Sequence, residues 1–487
     1  MGQIDLDGSN STLKADVIRG QTGTTVKLGG VLDTDGNYIQ TEKGGDLTSA
    51  SPLVIDTDGD YFDVTGTVSF AAMTVAADRQ FTLQFDGVLT MTHHATNLDL
   101  PGEANITTAA GDVATFQSTG SNTVQCINYT RADGTGVSGV SAQKNVIING
   151  DFNIWKRGTS FAAIANGGYS ADRWVYDKTG TMVHTITQET DVPTVAESGH
   201  LSKYSLKIDC TTVDSSIASG DICKIDQRIE GFNIAPLVQK AMKLSFWHKH
   251  TKTGIYCIAV RNSGGDRSFV SEYTQSVTDT WEKEEIDITA SPSAGTWDYT
   301  TGIGIHLSFV LAMGSSLHGT ADTWESEADL STSNQVNACD STDNNFMLSQ
   351  VQLEAGGVAT DFEVKNYADE LARCQRYYEV LNGEGVAHSI INLGHATNAA
   401  SSEMWSHWLV EKRVLPTITM SAAADFRLLG PTGNGLDNIT GVTFSLITLR
   451  GCRTTVNLDA DNLGTGDVVT LRDDGTGNAR LYISAEL

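Results

Sequence analysis

The stretch Gly302-Ile-Gly-Ile-His-Leu-Ser-Phe-Val-Leu311 decides the fold class, because large apolar residues occupy every second position from Ile303 to Leu311. Successive side chains of a β-strand point to opposite faces of the sheet, so this alternation predicts a strand with one buried face. Further strands are predicted around it, with the sequences SLKIDC, KLSFWHKH, IYCIAV, KEEIDIT and FMLSQVQLE. So many strands within about 220 residues predict a two-sheet β-sandwich of the jelly-roll type.

The region before this sandwich has a pattern of shorter strands. Runs such as YFDVTG, FTLQF and VATFQS recur at intervals of roughly ten residues, which is typical of an all-β fold. Asp86-Gly87, between FTLQF and VLTM, predicts a tight hairpin. The predicted strands are rich in small residues and lack large aromatic anchors, so we expect a thin core that is completed by burial between copies. This region is therefore predicted to be an oligomerising β stem.

The region after the sandwich opens with an apolar stripe that has helical spacing. Its members are separated alternately by four and three positions and form the predicted helix seam: Tyr367, Leu371, Cys374, Tyr378 and Leu381. Asn366 is a suitable N-cap for this helix. A helix of about 15 residues is marginal alone, so it is expected to dock on a sheet or on its symmetry mates. Later segments such as TITMSA and VTFSLITLRG predict a second, smaller β-sandwich.

The distribution of tryptophan marks two boundaries between these regions. Residues 1–144 contain no tryptophan, residues 145–365 contain six, and residues 366–487 contain two. We therefore predict three parts: a stem over 1–144, a carbohydrate-binding-like sandwich over 145–365, and a helix with a C-terminal sandwich over 366–487. The predicted fold class is all-β, with a short-stranded stem followed by two jelly-roll-like sandwiches and one connecting helix.

The composition excludes several classes of partner. The 487 residues carry 32 Lys and Arg against 59 Asp and Glu, a net charge of −27. Because so negative a surface repels phosphate groups, nucleic acid and anionic membrane surfaces are not expected partners. The first ten residues have neither a basic nor an apolar region, so no secretory signal is expected. The seven cysteines include no Cys-x-x-Cys pair, so their spacing indicates neither a zinc site nor a disulfide framework.

Two stretches resemble parts of structural proteins of tailed bacteriophages. Asn145-Val-Ile-Ile-Asn-Gly-Asp-Phe-Asn-Ile-Trp-Lys-Arg-Gly158, followed by Tyr169-Ser-Ala-Asp-Arg-Trp174, resembles the beginning of their carbohydrate-binding-module-like jelly roll. Phe346-Met-Leu-Ser-Gln-Val-Gln-Leu-Glu-Ala-Gly356 is similar to its closing strand, and YADELARCQRYYEVL to the helix that follows it. The resemblance implies a virion fibre or spike protein: a homotrimer, held by other virion proteins through its N-terminal segment, that contacts host polysaccharide.

Aromatic side chains are the candidate sugar-binding residues of the sandwich. Sugar rings stack on flat indole faces, so a glycan site needs exposed Trp or Tyr beside polar groups. Trp297 and Trp324 are the first choice, since they lie in polar surroundings typical of loops, SAGTWDYTTG and GTADTWESEAD. The further candidates lie on or beside predicted strands: Trp281, Trp247 and Tyr256. Each of them could equally be a core residue.

Metal-binding patterns are weak. The carboxylates of one turn could hold Ca²⁺, and these candidates are Asp56, Asp58, Asp60 and Asp63. Asp-Gly sequences also simply form turns, which is the preferred interpretation, and no other cofactor is expected. His248 and His250 share one face of a predicted strand but have no third ligand at a suitable spacing, so we interpret them as structural.

Catalytic motifs are absent from the sequence. It contains neither the Gly-x-Ser-x-Gly nucleophile motif nor a phosphate-binding Gly-x-x-x-x-Gly-Lys loop. We therefore predict a non-enzymatic fibre or spike protein located in the virion, which attaches to host glycans by multivalent binding. Two alternatives stay open: a tailspike enzyme that depolymerises glycans, and a purely structural decoration or baseplate protein.

Overall fold

The computed structural model describes residues 42–103, 105–132, 144–382, 385–431 and 437–487. The chain divides into two compact units, residues 1–141 and 142–487. The predicted all-β class is confirmed, because strands dominate both units and helices are few and short. In the described part of the chain, no helix is long and apolar enough to cross a membrane.

The first unit consists of short strands. Its strands are β1 (Leu47–Thr48), β2 (Leu53–Val54), β3 (Tyr61–Thr65), β4 (Met73–Thr74), β5 (Gln80–Phe85), β6 (Thr90–Met91), β7 (Leu98–Asp99), β8 (Ile106–Thr107), β9 (Val113–Gly120) and β10 (Thr123–Thr130). Strands β1, β3 and β5 pair in parallel, as do β2 and β4, so the chain winds in successive turns that stack on one another. Strands β9 and β10 close the sheet as an antiparallel pair.

Two predictions for this unit are wrong. Asp86-Gly87 does not form a hairpin, because β5 pairs with β3 and β9 whereas β6 pairs with β8 in a different sheet. Nor is the core thin. Five phenylalanines from several turns are at most 1% exposed within a single chain: Phe62, Phe70, Phe81, Phe85 and Phe116. The stacking of parallel turns brings these rings together although they are far apart in sequence.

The second unit begins with a sandwich of two sheets. Its strands are β11 (Ser160–Phe161), β12 (Gly168–Tyr169), β13 (Trp174–Lys178), β14 (Val183–Glu189), β15 (Ser205–Thr212), β16 (Ile222–Glu230), β17 (Met242–His250), β18 (Gly254–Asn262), β19 (Ser268–Gln275), β20 (Glu282–Ile288), β21 (Ile303–Met313), β22 (Trp324–Glu325) and β23 (Asn345–Ala355). One sheet has the order β11-β14-β15-β23-β17-β20, and the other β12-β13-β16-β21-β18-β19-β22. Two single-turn helices, α1 (Val195–Ser198) and α2 (Gly231–Ile234), lie in the connections.

The core between the two sheets follows the alternation in the sequence. Ile305, Leu307, Phe309 and Leu311 are at most 3% exposed and belong to one continuous apolar cluster. At about 25 cal/mol per Å² of buried apolar surface, such strands supply the main stabilisation of the sandwich.

The C-terminal part contains one helix and a closed barrel. The helix is α3 (Tyr367–Gln375), and the strands are β24 (Tyr378–Leu381), β25 (Ile390–Asn398), β26 (Ser401–His407), β27 (Thr417–Met420), β28 (Phe426–Leu429), β29 (Asp437–Ser445), β30 (Gly451–Leu458), β31 (Val468–Asp473) and β32 (Leu481–Ser484). Six strands close in the order β25-β26-β30-β29-β28-β31, and β24-β32-β27 form a separate sheet. This part therefore differs in detail from the predicted second sandwich, since a barrel leaves no open sheet edge.

Of the predicted helix seam, Tyr367, Leu371 and Cys374 lie on α3, where Cys374 is buried, Leu371 is half-buried and Tyr367 is 57% exposed. Asn366 caps α3 by accepting a hydrogen bond from the backbone N–H of Ala368 at 2.9 Å. Tyr378 and Leu381 lie on strand β24 instead, where they pair with Ser484 and Leu481. The segment Tyr-Tyr-Glu-Val-Leu is rich in aromatic and β-branched side chains, and pairing with β32 outweighs its continuation of the helical spacing.

Buried charges join α3 and the C-terminal residues to the sandwich. The guanidinium of Arg173 forms an ion pair with Glu486 and lies 3.6 Å from the ring centre of Tyr377. Arg157 contacts the same carboxylate at 3.0 Å, and Arg413 donates to the backbone oxygen of Glu486 at 2.7 Å. We call these five residues the joint. Because a buried charge is tolerated only when it is paired, the joint fixes these parts of the second unit to each other.

Candidate functional site

Trp297 and Trp324, the first-choice sugar-binding residues, lie together at one end of the sandwich. Their ring centres are 5.9 Å apart, and the indole planes meet at 64°. Both side chains are half-buried and pack with one side on the core of the sandwich. The structure thus brings together two aromatic residues that are 27 positions apart in the sequence, in the edge-to-face geometry that aromatic pairs prefer.

Strand β22 positions Trp324 at the edge of its sheet. Trp324 pairs with Phe269 on β19, and the two rings contact each other with their centres 5.6 Å apart. Its indole N–H donates to the backbone oxygen of Thr289 at 2.9 Å. Because the polar atom of the ring is already bonded, the indole can offer a ligand only its apolar face.

Asp266 holds the loop that carries Trp297. Its carboxylate accepts hydrogen bonds from the side-chain amide of Asn262 at 2.6 Å and from the backbone N–H of Thr296 at 3.0 Å. These hydrogen bonds lower the pKa of Asp266, the one from Asn262 having the largest effect. The indole N–H of Trp297 donates to the backbone oxygen of Ala294 at 3.0 Å. The loop is therefore fixed before any ligand arrives.

An open groove of about 560 Å³ runs beside Trp324. Arg267, Glu325 and Glu327 contribute charged groups to its wall, and Pro292 contributes an apolar surface. Such a mixture of an aromatic face with a few charged groups is typical of sites that bind polar ligands with flat apolar faces, as sugars are. We call this the tryptophan groove, lined by Trp324, Arg267, Glu325 and Glu327. Trp297 packs against Trp324 and lines a separate, smaller cavity.

Two carboxyl groups in this region share a hydrogen bond. Burial and the hydrogen bond with Glu325 raise the pKa of Asp329 above its usual value. The backbone N–H of Thr320 donates to Glu325 at 2.9 Å and lowers the pKa of that carboxyl. Glu325 therefore carries the negative charge of the pair, and Asp329 retains a proton to a higher pH than a free aspartate.

The other aromatic candidates are not part of this groove. Trp281 donates from its indole N–H to Asp191 at 2.9 Å, and the same carboxylate pairs with Lys249 at 2.7 Å. Trp247 lies two residues before Lys249 on β17, with only 9% of its surface exposed. These residues belong to the sheet that does not carry Trp324.

Tyr256 is a wrong prediction. The residue is fully buried, and its ring stacks on His250 with the ring centres 3.7 Å apart. Its hydroxyl donates to the backbone oxygen of Lys252 at 2.8 Å. The physical reason is position along β18: Tyr256 shares the core-facing side of the strand with Ile258 and Val260, so it cannot contact a glycan.

The histidines His248 and His250 are buried and bonded within the sandwich, as interpreted from the sequence. His248 contacts the side-chain oxygen of Gln275 at 3.1 Å, and His250 contacts the hydroxyl of Tyr273 at 3.2 Å. Burial and the neighbouring His248 lower the pKa of His250 well below its usual value.

The calcium candidates of the first unit have separate partners. Asp58 accepts from the backbone N–H of Gly45 at 2.9 Å, Asp60 lies 3.5 Å from Arg79, and Asp63 pairs with Lys43 at 2.6 Å. The backbone oxygen of Asp56 also accepts from Arg79. Calcium binding at this turn stays a prediction, and these contacts compete with a cation.

Several residues of the site could not have been found from the sequence. Asp266 and Arg267 lie in a short polar turn that resembles many others in this chain. Asp329 comes four residues after Glu325, but nothing in the spacing indicates that the two carboxyl groups meet. The only indication in the sequence was the polar surroundings of Trp297 and Trp324, which identified these two aromatic residues as candidates.

Comparisons with known proteins give structural likeness alone. No protein-family model matches the sequence, and no curated protein matches it. Similar solved structures include the enzymatically active domain of tailspike protein 4 of bacteriophage CBA120, with 12% identity and a TM-score of 0.25 over 64% of this chain. The chain spans 37% of the length of that tailspike domain.

Other similar structures are those of proteins named for sugar or xylan binding. A putative sugar-binding protein from Bacteroides thetaiotaomicron has 14% identity and a TM-score of 0.25, covering 44% of this chain and 100% of that one. The CBM22-1 xylan-binding domain from Paenibacillus barcinonensis has 11% identity and a TM-score of 0.21, covering 41% and 94%. At such TM-scores the likeness does not assign a function, which has to be inferred from the residues themselves.

Proposed function

We propose that the second unit binds carbohydrate in the tryptophan groove, and that the chain is a non-enzymatic fibre or spike protein of a phage virion. The virion role follows from the resemblance of residues 145–174 and 346–381 to phage structural proteins. In this proposal the protein is a homotrimer, and weak sugar contacts are multiplied by the number of grooves on each particle.

The paired indoles Trp297 and Trp324 are the observation that carries the sugar-binding proposal. The faces of half-buried rings are apolar surfaces on which the C–H side of a sugar can stack. Arg267, Glu325 and Glu327 supply donors and acceptors for sugar hydroxyls beside them. Because Asp266 already fixes the loop, little conformational entropy is lost when a ligand binds.

The carboxyl groups of the groove support binding rather than hydrolysis. Glycosidases place two carboxyl groups about 5 Å apart when they retain configuration and about 6.5–9.5 Å apart when they invert it. Glu325 and Asp329 are in hydrogen-bond contact, which leaves no room for a sugar between them. Depolymerisation at this pair would therefore need a different arrangement.

Measuring binding to a glycan array and to purified bacterial surface polysaccharides tests the proposal. We expect Trp297→Ala together with Trp324→Ala to weaken binding at least ten-fold, which corresponds to about 1.4 kcal/mol. Trp324→Phe is the companion variant, because it preserves packing on the core while reducing the stacking surface. Trp405→Ala, at an indole of the barrel that is 36% exposed, is the matched control and should bind normally. Unchanged binding by the folded double variant would refute the role of the groove.

The two alternatives give different results in companion experiments. Release of reducing ends from a polysaccharide that the protein binds would establish the depolymerising enzyme. Absence of binding to every polysaccharide, with the protein located on head or baseplate by immunogold labelling, would favour a purely structural role. Sedimentation of the full chain measures the oligomer. A thin core in the first unit was one reason to expect trimers, and the aromatic core removes that reason. A monomer in sedimentation would refute the predicted trimer but would not bear on sugar binding in the tryptophan groove.

A further inference from the structure

A cluster of cysteines and one histidine lies in the core of the sandwich, away from the tryptophan groove. His184 on β14, Cys210 on β15, Cys223 on β16 and Cys339 in the connection before β23 are all at most 3% exposed. They come from both sheets and from a loop, at positions separated by up to 155 residues. This separation explains why their spacing in the sequence indicated no metal site.

Three ligand atoms of this cluster lie close enough together for a metal site. The Sγ atom of Cys339 lies 3.7 Å from Nε2 of His184, the nitrogen that would bind a metal, and Sγ of Cys223 lies 3.9 Å from Nδ1, the other ring nitrogen. One ligand atom from each of these three residues lies within 4.8 Å of the other two. Ligands of a tetrahedral zinc ion, with Zn–S near 2.3 Å and Zn–N near 2.0 Å, are about 3.6–3.8 Å apart. Among the described residues, this is the one such group of three or more.

A fourth sulfur lies near the three but outside their group. Cys210 pairs with His184 across the neighbouring strands, and its Sγ lies 3.8 Å from the backbone oxygen of Cys339. The hydroxyl of Tyr176 contacts Nδ1 of His184 at 2.5 Å, which leaves Nε2 facing Cys339. A metal-bound histidine usually has its second ring nitrogen held in this way, because the contact fixes the orientation of the ring.

We propose that His184, Cys223 and Cys339, joined by Cys210 after a small shift of its side chain, form a structural zinc site that links the two sheets of the sandwich. Three thiolates and one imidazole are a donor set that selects zinc among the common divalent cations. As the ion binds, Zn–S and Zn–N bonds form, the thiol protons pass to solvent, and nothing is oxidised or reduced. Because the ligands are enclosed, the ion enters during folding rather than afterwards.

Metal analysis of the full chain tests this site directly. The protein is unfolded, stripped of metal with a chelator, and refolded under reducing conditions with Zn²⁺ or with Co²⁺. We expect about one ion per chain after dialysis, and a thiolate-to-metal charge-transfer band with intense visible bands in the cobalt form. Refolding with a chelator present should lower the melting temperature of the second unit.

Cysteine variants identify the ligands. The double variant Cys223→Ser with Cys339→Ser should lose the bound ion and the charge-transfer band. Cys210→Ser should retain weaker binding with a reduced band. Cys257→Ser is the matched control, because Cys257 is equally buried in the same sandwich but bonds to Thr332, and it should bind as the natural protein does.

Several results would overturn the site. The first is a refolded natural chain that holds no zinc or cobalt, a measurement that needs no variant to fold. The second is a cobalt form that lacks the thiolate band. The third is undiminished metal in the folded Cys223→Ser, Cys339→Ser variant. Peptide mapping that finds Cys223 joined to Cys339 by a disulfide in the isolated protein would also exclude it, because oxidised sulfurs do not bind zinc.

Discussion

The joint and the tryptophan groove are two regions of the same unit that use their side chains in opposite ways. In the joint, Arg173 is 1% exposed, and its charge is balanced by Glu486 within the protein. At the groove, Trp297 and Trp324 are half-buried, and the ring of Trp324 lies beside open space. The joint pairs its charges within the protein, whereas the groove retains surface for a ligand.

This difference separates the residues that carry the phage resemblance from those that could carry function. Asn149 donates to the backbone oxygens of Ile154 and Asp172, and Trp174 donates to the backbone oxygen of Asn149. The motif residues thus hold the first turn of the sandwich together and anchor the joint. The groove residues lie in none of the recognisable stretches. A motif can therefore identify the architecture of this module without locating its ligand site.

Arg173→Ala tests the joint and should cause the largest loss in the free energy of unfolding. The variant leaves Glu486 buried without its closest partner, so we expect a loss of about 3–5 kcal/mol in the free energy of unfolding. Guanidinium unfolding followed by tryptophan fluorescence measures it, since all eight tryptophans lie in the second unit. Glycan binding by the fraction that remains folded should be unchanged.

An exposed ion pair provides the control for this variant. Arg450 lies 2.6 Å from Glu411, but the two side chains are 78% and 43% exposed. Arg450→Ala should change the free energy of unfolding by less than about 1 kcal/mol. Equal effects of the two arginine variants would show that burial of Arg173 is not what stabilises the unit.

Strand identity in the sandwich was predictable because one simple rule applies there. The large apolar residues from Ile303 to Leu311 occupy alternate positions and share one face, which is enough to predict a strand. The same rule could not place Tyr256, because both faces of β18 are buried, so it was kept as a sugar-binding candidate beside its interpretation as a core residue. Which side of a strand is buried depends on the other sheet, which comes from distant parts of the chain.

The other failed predictions have the same cause, because contacts with distant parts of the chain outweigh a local sequence pattern. Asp86-Gly87 is a good local hairpin sequence, but parallel pairing with an earlier turn outweighs it. The stripe from Tyr367 to Leu381 continues with helical spacing, yet β32 recruits its second half into a sheet. The tryptophans of the groove were found from local polarity. Asp266, which holds the loop, and the cluster around His184 depend on tertiary contacts and were not.

Asp473 is buried like the residues of the joint but holds a loop, and its contribution to stability depends on pH. Its carboxylate accepts hydrogen bonds from the backbone N–H groups of Gly475, Gly477 and Ala479. Burial would raise its pKa, and these bonds lower it to about 2. Asp473→Asn should cost about 1–3 kcal/mol at neutral pH, because the amide N–H₂ cannot accept a hydrogen bond.

The pH dependence of this variant distinguishes a charge effect from simple loss of packing. The pKa of Asp473 is lower in the folded than in the unfolded chain, so its stabilisation is present above about pH 4 and is lost as the pH falls towards 2. The stability difference between the natural protein and Asp473→Asn should therefore shrink over this range in acid unfolding curves. A difference that stays constant down to pH 2 would contradict the assignment.

Asp266→Ala should have the smallest effect on stability and a large one on binding, which is the reverse of Arg173→Ala. The side chain is half-buried, and its removal frees the loop that carries Trp297 and the side-chain amide of Asn262. We expect a smaller fall in melting temperature than for Asp473→Asn, and glycan affinity weakened about ten-fold because the loop must then be ordered on binding. Asp474→Ala is the matched control, since Asp474 holds an exposed turn of the barrel through Thr476. If Asp266→Ala bound glycan as well as Asp474→Ala does, the fixed loop would have no part in recognition, and the groove would reduce to the face of Trp324 alone.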